Sequence, residues 1–372
     1  MKILVIAPKN RTVWNFRGDL IREIVGRGHE VLVVGPDMTD VDRIEALGAR
    51  FTTVAMNKHG VNPLKDLRYF TDLRKLIRRE RPDVTFGYTI KPTIYGALAA
   101  KSEGVKRIVS MVTGVGYLFT SRSAKARILK TAAKMLYRMG MAAADTVIFQ
   151  NPDDRADFIG AHVVKADKTA IVNGSGVNMD RFAPMPLNRR EGEPLRVLCI
   201  SRALRSKGVE EYIEAARILA ERWPGESELT LLGAIDESMS DSIERRSVER
   251  AVADGVLRYL EERPDVRGAV AESNIMVLAS HREGTPRTIL EAMAMRRPVV
   301  VTDAPGCRQT VDDGVNGLLC QPRSAADLAR AIHEMALKTP AELDIMAEAS
   351  LALCRERFDV RSVNAEMLRH LL

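Results

Sequence analysis

SHREGTPRTILEAMAMRRPVVVTD, residues 280–303, decides how this chain folds. Just ahead of it, residues 274–279 form a short apolar run, and within it residues 298–302 form a second. Between the runs lie a turn with Gly284 and Pro286 and a helix-forming segment over about 287–295. Strand, loop, helix, strand is a βαβ unit, which joins a parallel pair of strands by a helical crossover. In such sheets ligands sit beyond the carboxyl ends of the strands, over helix N-termini. Glu283 falls in that loop and Glu291 about one turn into the helix, roughly 6 Å along its axis at ~1.5 Å per residue. The amides of Thr285, Arg287 and Thr288 would point at whatever lies above, and a phosphate there gains about 0.3–1 kcal/mol from the helix end. Two carboxylates flanking a phosphate cradle suit a molecule with hydroxyls on both sides of the phosphate, as in a nucleotide sugar. By spacing alone, a solvated loop acid and a helix-stabilising acid fit better than a ligand pair; the wider pattern reverses that.

A second loop of the same kind follows the strand-like run 196–200. It reads Ser201-Arg202-Ala203-Leu204-Arg205-Ser206-Lys207-Gly208 and leads into a helix from Val209. Arg202 and Lys207, five positions apart at a strand's carboxyl end, suit the two charges of a diphosphate, one as a planar clamp and one as a point charge. The next strand covers 228–233, and residues 259–264 follow where a base would pass by analogy of fold.

Glu-Gly-x-Pro at 283–286, Leu-Glu-Ala-Met-Ala at 290–294 and Pro-Val-Val at 298–300 together resemble the signature of the family 4 glycosyltransferases. That resemblance implies retaining enzymes of the GT-B architecture, two facing doubly wound Rossmann-like domains with a deep interdomain cleft. It implies that Glu283 contacts the donor sugar and Glu291 the ribose, that Arg202 and Lys207 bind the donor diphosphate, and that Gly284, Thr285, Pro286 and Arg287 line the donor site. Catalysis would then rest on Glu283, Arg202 and Lys207, with UDP as product, no cofactor and no metal. One departure stands out: Arg296 occupies a position where the family often has Gly, which bears on the turn after the helix rather than on chemistry.

Composition bounds the alternatives. The 372 residues suit two or three domains. Aromatics are 5% of the chain, too few for stacking on single-stranded nucleic acid, and no nucleic-acid partner is expected. No apolar run approaches eighteen residues, and the opening MKILVIAP is too short for a signal peptide and suits a first strand. A cytoplasmic protein, peripherally associated with the inner face of the cell membrane, is therefore expected. The four cysteines, 199, 307, 320 and 354, show no Cys-x-x-Cys spacing and suit reduced, buried thiols. The net charge of +7 is uneven: residues 1–188 carry 30 Lys+Arg against 18 Asp+Glu, a net +12, and the remainder a net −5. A basic front half suggests an anionic partner.

The front half opens as another βαβ unit, with strands over 2–6 and 30–34 and an amphipathic helix over 17–26. Many family 4 members carry Gly-Gly in the first loop; this chain has Asn10-Arg11-Thr12-Val13-Trp14-Asn15-Phe16-Arg17. The Phe-Arg form, and the Asn62-Pro63 that opens the helix reaching Arg79, resemble a subgroup that extends saccharides on undecaprenyl diphosphate. In that subgroup Asn15, Phe16 and Arg17 would touch acceptor or donor; packing of Trp14 and Phe16 is the alternative. Lys91, in the loop after the strand 84–88, is a candidate for the acceptor diphosphate or simply a solvated lysine. Gly114 and Gly116, after the strand 107–112, let backbone approach the transferred sugar. Asp40 and Asp42 suit a solvated helix start better than a metal site.

Residues 121–138 hold six cations and no acid. On a helical wheel Arg127, Lys130, Lys134 and Arg138 share one face, and Ile128, Leu129, Ala132, Met135, Leu136 and Met139 the other. The cationic face suits anionic lipid headgroups, at ~1 kcal/mol per cation near such a surface, or is an ordinary solvated face. Residues 184–194, with two prolines and a charged centre, suit a linker. The expected division is thus an acceptor domain over 1–183, joined by a closing helix over 356–372, and a nucleotide-sugar domain over 195–355. The implied partners are a nucleotide-sugar donor, probed first as a UDP-sugar, a lipid-linked saccharide acceptor and an anionic membrane surface. A sugar-nucleotide 2-epimerase of the same architecture and a non-catalytic basic membrane-binding module are the competing functions.

Overall fold

The structure is a computed structural model that describes residues 1–57, 62–114 and 124–372, with the backbone alone at 124–130 and 132. Two parallel sheets organise two units, named front and rear by their order in the chain: Met1–Ser175 with Val360–Leu372, and Gly176–Asp359. The front sheet contains β1 (Lys2–Ile6), β2 (Glu30–Gly35), β3 (Arg50–Thr53), β4 (Val84–Tyr88), β5 (Arg107–Val112), β6 (Thr146–Phe149) and β7 (Thr169–Ile171), ordered β3-β2-β1-β4-β5-β6-β7. Successive residues of β1 face opposite ways. Ile3 and Val5 join a core with α1 (Asn10–Phe16), α2 (Gly18–Gly26) and α3 (Val41–Glu45). Leu4 and Ile6 join the core under α4 (Pro63–Glu80), a π-helical turn (Pro92–Gly96) running into α5 (Ala97–Ser102), α6 (Ala124–Ala143) and α7 (Pro152–Gly160). Helices on both faces are why these strands are near-continuous Val/Ile/Leu runs.

The rear sheet contains β8 (Leu195–Ile200), β9 (Ser227–Leu232), β10 (Arg258–Leu260), β11 (Ile275–Leu278), β12 (Val299–Thr302) and β13 (Gly317–Cys320), ordered β10-β9-β8-β11-β12-β13. Its helices are α8 (Val209–Arg222), α9 (Arg245–Ala253), α10 (Arg267–Glu272), α11 (Arg287–Ala294), α12 (Ala325–Ala336) and α13 (Pro340–Phe358). The last helix, α14 (Val360–Leu371), returns to the front unit and buries Val363, Met367, Leu368 and Leu371 beside Ile3 and Ile21.

The division of the chain falls earlier than the proline-bearing stretch suggests. It lies between Ser175 and Gly176, and Val177 and Phe182 already belong to the rear core with Leu198 and Met293. Residues 184–194 are tied to that unit: Arg297 donates to the carbonyls of Met185 and Pro186, and Arg189 to those of Ala336 and Lys338. The closing segment likewise starts at Val360, because α13 keeps 356–358 in the rear unit and Asp359 leaves the helical region at φ −57, ψ 128. On these bounds the charge contrast sharpens, with 31 Lys+Arg against 18 Asp+Glu in front, a net +13, and 25 against 31 behind, a net −6.

Three local expectations change. The first loop is the helix α1, since no glycine interrupts 8–17 and Val13 and Asn10 bury against the sheet. The apolar side of α6 is only partly covered: Tyr137 and Met141 are buried, but Met135 is 67% and Met139 47% exposed. Arg296 adopts the left-handed conformation, φ +61, where glycine would be unstrained. It sits just past α11, where Arg296 N–H donates to the Met293 carbonyl and Arg297 N–H to that of Ala292, a Schellman closure. Two carboxylates of α13 hold its guanidinium, Asp344 at 2.9 Å and Glu348 at 2.8 Å, so ion pairing offsets the strain a glycine would avoid. The four cysteines are free and buried, and burial pushes the thiols of Cys199, Cys320 and Cys354 up to about 12.

Candidate active site

The strand order of the rear sheet reverses between β8 and β11, whose neighbours β9 and β12 lie on opposite sides. Crossovers leave to opposite faces at such a point, and the loops at the carboxyl ends part to leave a crevice for ligands. Residues 201–208 follow β8 and residues 279–286 follow β11, so both motifs found in the sequence border this one point.

Backbone contacts lock the two loops together. His281 N–H donates to the Ser206 carbonyl at 3.0 Å, and Glu283 N–H to that of Pro305, after β12, at 2.9 Å. Gly208 and Gly306 are required here. Both have positive φ, and a Cβ would meet the Ala279 carbonyl oxygen at 2.0 Å from Gly208 and that of Glu283 at 2.1 Å from Gly306. The buried Ser280 hydroxyl donates to Glu283 Oε1 at 2.7 Å, and the Thr302 hydroxyl to the Ser280 carbonyl.

Glu283 therefore stands in a fixed place, and its Oε1 carries an ion pair with Lys207 Nζ. One turn into α11, Glu291 Oε1 accepts from Arg287 Nε at 3.0 Å. No side chain caps the start of α11 at Pro286. Arg202 is exposed on the first loop, its guanidinium 3.6 Å from Met239 Sδ. Arg205 is committed elsewhere, to Glu210 at 3.0 Å and the Ser242 carbonyl at 2.7 Å. The two motifs thus meet through the Lys207–Glu283 pair, while Glu291 is paired within its own motif and Arg202 contacts no acid of either. Among the described residues no group of three or more His, Cys, Asp or Glu is placed to hold a metal ion.

Glu291 is 9% exposed, and burial raises its pKa above the usual carboxyl value despite Arg287 beside it. A raised folded-state value gives stability that is fully present below the unfolded pKa and lost as pH rises through the folded one. Glu291→Gln keeps an acceptor for Arg287 and removes that dependence. Its stability relative to the parent chain, from urea melts, is expected to rise between pH 4 and pH 7; a pH-independent difference would count against a buried, reluctant carboxylate.

The front-unit candidates are placed differently. Arg17 is buried, its guanidinium over the Phe86 and Tyr88 rings at 5.8 and 5.4 Å and 2.8 Å from Met111 Sδ. Asn15 and Phe16 end α1, Phe16 being 37% exposed. Lys91 Nζ donates to the buried Asp66 carboxylate at 2.6 Å, an inward pair rather than a solvated lysine. Gly114 lies beyond β5 with φ +117. Gly116 and the side chains of Arg127 and Lys130 lie outside the described residues, while Lys134 and Arg138 are exposed on α6. Sequence reasoning missed Ser280 and Gly306; a serine and a glycine following strands at a switch point are the signal that could have found them.

Comparison with known proteins bears on the fold and the family. Residues 194–337 match the family described as "Glycosyl transferases group 1", and residues 12–174 the "Glycosyl transferase 4-like domain". The N,N'-diacetylbacillosaminyl-diphospho-undecaprenol alpha-1,3-N-acetylgalactosaminyltransferase of Campylobacter jejuni is 27% identical over 343 residues, 89% of this chain and 88% of that protein. The UDP-Gal:alpha-D-GlcNAc-diphosphoundecaprenol alpha-1,3-galactosyltransferase of Escherichia coli is 24% identical over 281 residues, 70% and 68% of the two chains. The crystal structure of HepE from Anabaena in complex with UDP-glucose aligns over 100% of both chains at 22% identity with a TM-score of 0.78. Sucrose-phosphate synthase from Thermosynechococcus elongatus aligns over 99% of this chain and 98% of that one at 20% identity, with a TM-score of 0.80. These likenesses carry the fold, two Rossmann-like domains of the GT-B class. With both sheets and the switch-point motifs in place, the chain belongs to the group 1, family 4-like glycosyltransferases and is a glycosyltransferase.

Proposed function

We propose that this enzyme moves a hexosyl group from a UDP-sugar to a saccharide carried on a lipid diphosphate, with retention at the anomeric carbon, in surface polysaccharide or glycan assembly. The observation that carries the reading is the joining of Lys207 to Glu283 at the switch point of the rear sheet. In this reading Arg202 and Lys207 take the donor diphosphate, Glu283 the sugar hydroxyls and Glu291 the ribose hydroxyls. Residues 284–287 lie along the diphosphate at the open start of α11. Asn15, Phe16, Arg17, Lys91, Gly114 and Gly116 serve the acceptor, Lys91 exchanging Asp66 for the acceptor diphosphate. The cationic face of α6, with Arg127, Lys130, Lys134 and Arg138, meets anionic headgroups at the inner face of the cell membrane. The names of the Campylobacter and Escherichia relatives, both for enzymes of diphosphoundecaprenol-linked sugars, support the acceptor class, and UDP in the second supports the donor.

The chemistry follows from charge. The bond from the anomeric carbon to the diphosphate breaks and UDP departs with the electron pair. The acceptor hydroxyl oxygen bonds that carbon on the same face and gives its proton to the departing diphosphate. Negative charge grows on the leaving oxygen, where preorganised cations and helix amides stabilise it most. The test is UDP release from a panel of UDP-sugars with undecaprenyl-diphosphate-linked saccharides, read against GDP- and ADP-sugars, with the product's anomeric configuration read by NMR. Acceptor-dependent UDP release with an α-linked product from an α-linked donor is expected. Epimerised nucleotide sugar without acceptor, or no release from any donor, would overturn the reading.

A further inference from the structure

We infer that His281 and Glu211 are positioning residues for sugar transfer: their hydrogen bond holds the two loops of the donor site at a fixed spacing while Lys207 and Glu283 part. The inference deepens the reading above and rests on it. Two side-chain pairs join the same two segments of the rear unit. Lys207 meets Glu283, and Glu211, about one helical turn further along in α8, meets His281, which lies two residues before Glu283. His281 Nε2 and Glu211 Oε1 are 2.8 Å apart, and the two side chains are 17% and 18% exposed, so this is a sheltered bond rather than a screened surface ion pair. The amide of His281 adds a backbone bond to the Ser206 carbonyl at 3.0 Å.

The neighbours of the imidazole decide where its proton sits. Burial works against a charged Glu211, yet hydrogen bonding, that from His281 foremost, and the nearby Arg323 charge hold its pKa below the ordinary carboxyl value. Arg323, just ahead of the Ser324 that caps α12, places its Nε 3.4 Å from His281 Nδ1. A carboxylate only accepts and a guanidinium only donates. A ring with its proton on Nε2 and a bare Nδ1 serves both at once. Segments that follow β8, β11 and β13 thus converge on one side chain. Glu211 Oε2 is buried with no hydrogen-bond partner among the described residues, so the bond at Oε1 is what makes burial of this carboxylate tolerable. On the proposed reading Lys207 turns to phosphate oxygen, and segments 207–211 and 281–283 lose one of their two side-chain ties. The His281–Glu211 bond involves neither member of that pair and stays closed. Displacing reacting groups by about 1 Å costs about 10²-fold in rate, so a tie that outlasts the opening of the pair acts on transfer rather than on UDP binding.

The test compares the full chain with His281→Gln, His281→Asn and the double variant Glu211→Leu/His281→Leu, by nucleotide release in the presence of acceptor and by isothermal titration with UDP. A glutamine amide reaches about as far as Nε2 and donates to Glu211, whereas an asparagine amide stops at the level of Nδ1. His281→Gln is therefore expected to rescue kcat to within about threefold of the parent chain, and His281→Asn to lower it about 10- to 100-fold, with UDP affinity in both within about threefold. The double variant strands no buried carboxylate, because both polar partners go together. It is expected to melt within about 3 °C of the parent chain and still to lose transfer about 10- to 100-fold. Should it melt lower, the comparison of His281→Gln with His281→Asn decides alone. Equal rates in those two variants, or a loss of UDP affinity that matches the loss of rate, overturns the proposal. A parent chain inactive with every nucleotide sugar overturns the functional reading, whereas an active parent chain with an equally active double variant overturns the positioning role alone.

Discussion

Lys207→Ala is expected to lower kcat/KM for donor roughly 10²–10³-fold, the cost of removing one preorganised group that stabilises transition-state charge, while the rear unit stays folded. The folding half of this expectation follows from position: Lys207 closes a short 3-10 turn ahead of Gly208 and is paired with a loop carboxylate rather than placed in the core. The catalytic half follows from what the pair must do. Without donor, Lys207 and Glu283 neutralise each other. On the proposed reading, an arriving diphosphate draws the ammonium from the carboxylate to phosphate oxygen, and Glu283 turns to the sugar hydroxyls with the Ser280 hydroxyl still bonded to it. The exchange predicts a split at the partner. Glu283→Gln removes the internal competitor and the repulsion of an acid beside the diphosphate, so UDP should bind more tightly while sugar transfer falls. Isothermal titration with UDP beside steady-state rates checks this. Parallel loss of UDP affinity in both variants would mean that the two side chains merely brace the loop, and unchanged turnover in Lys207→Ala would remove it from the mechanism.

Much of this was visible in the chain itself, for definite reasons. Strands covered on both faces are written as unbroken apolar runs, so β8, β11 and β12 declare themselves, and parallel pairing then places every intervening loop at one end of the sheet. Residues 201–208 and 279–286 could therefore be assigned to one region before any coordinates. What spacing could not reveal was pairing. Lys207 with Glu283 and Lys91 with Asp66 join residues 76 and 25 positions apart, and helical or strand periodicity carries no information about such contacts. Polarity also misled where a charged group is spent inside the protein. The stretch 184–194 has the composition of a linker, yet it is stitched down by two arginines whose partners are carbonyls, and carbonyls leave no trace in a sequence. The left-handed turn at Arg296 is a milder case. A glycine there would have announced the end of α11, whereas an arginine held by two acids of α13 performs the same turn silently.

Arg297 is where that concealment has the largest consequence for stability. It is fully buried with no carboxylate beside it, and burial pulls its pKa down to about 10, which leaves it charged at neutral pH. Its guanidinium donates to six carbonyls: Val270 and Ala271 in α10, Met295 and Arg296 beyond α11, and Met185 and Pro186 in the incoming chain. One planar group therefore satisfies the carboxyl ends of two helices and fixes the entry of the chain into the rear unit. A buried charge of this kind is tolerable only because its donors are saturated, and the carbonyls depend on it equally. Arg297→Met fills much of the volume and strips these acceptors of their donor. Leaving buried groups unpaired costs about 1–3 kcal/mol each where no water replaces the partner, and breaking a buried charged site costs about 3–5 kcal/mol as a whole. For a unit of this size that corresponds to a fall in Tm of roughly 6–20 °C. If UDP binds the rear unit as proposed, calorimetry of the full chain should show the loss in the transition that UDP shifts upward. A variant that melts within 2 °C of the parent chain would mean that water satisfies those carbonyls and that the segment 176–194 is held by its other contacts, Val177, Phe182 and Arg189 among them.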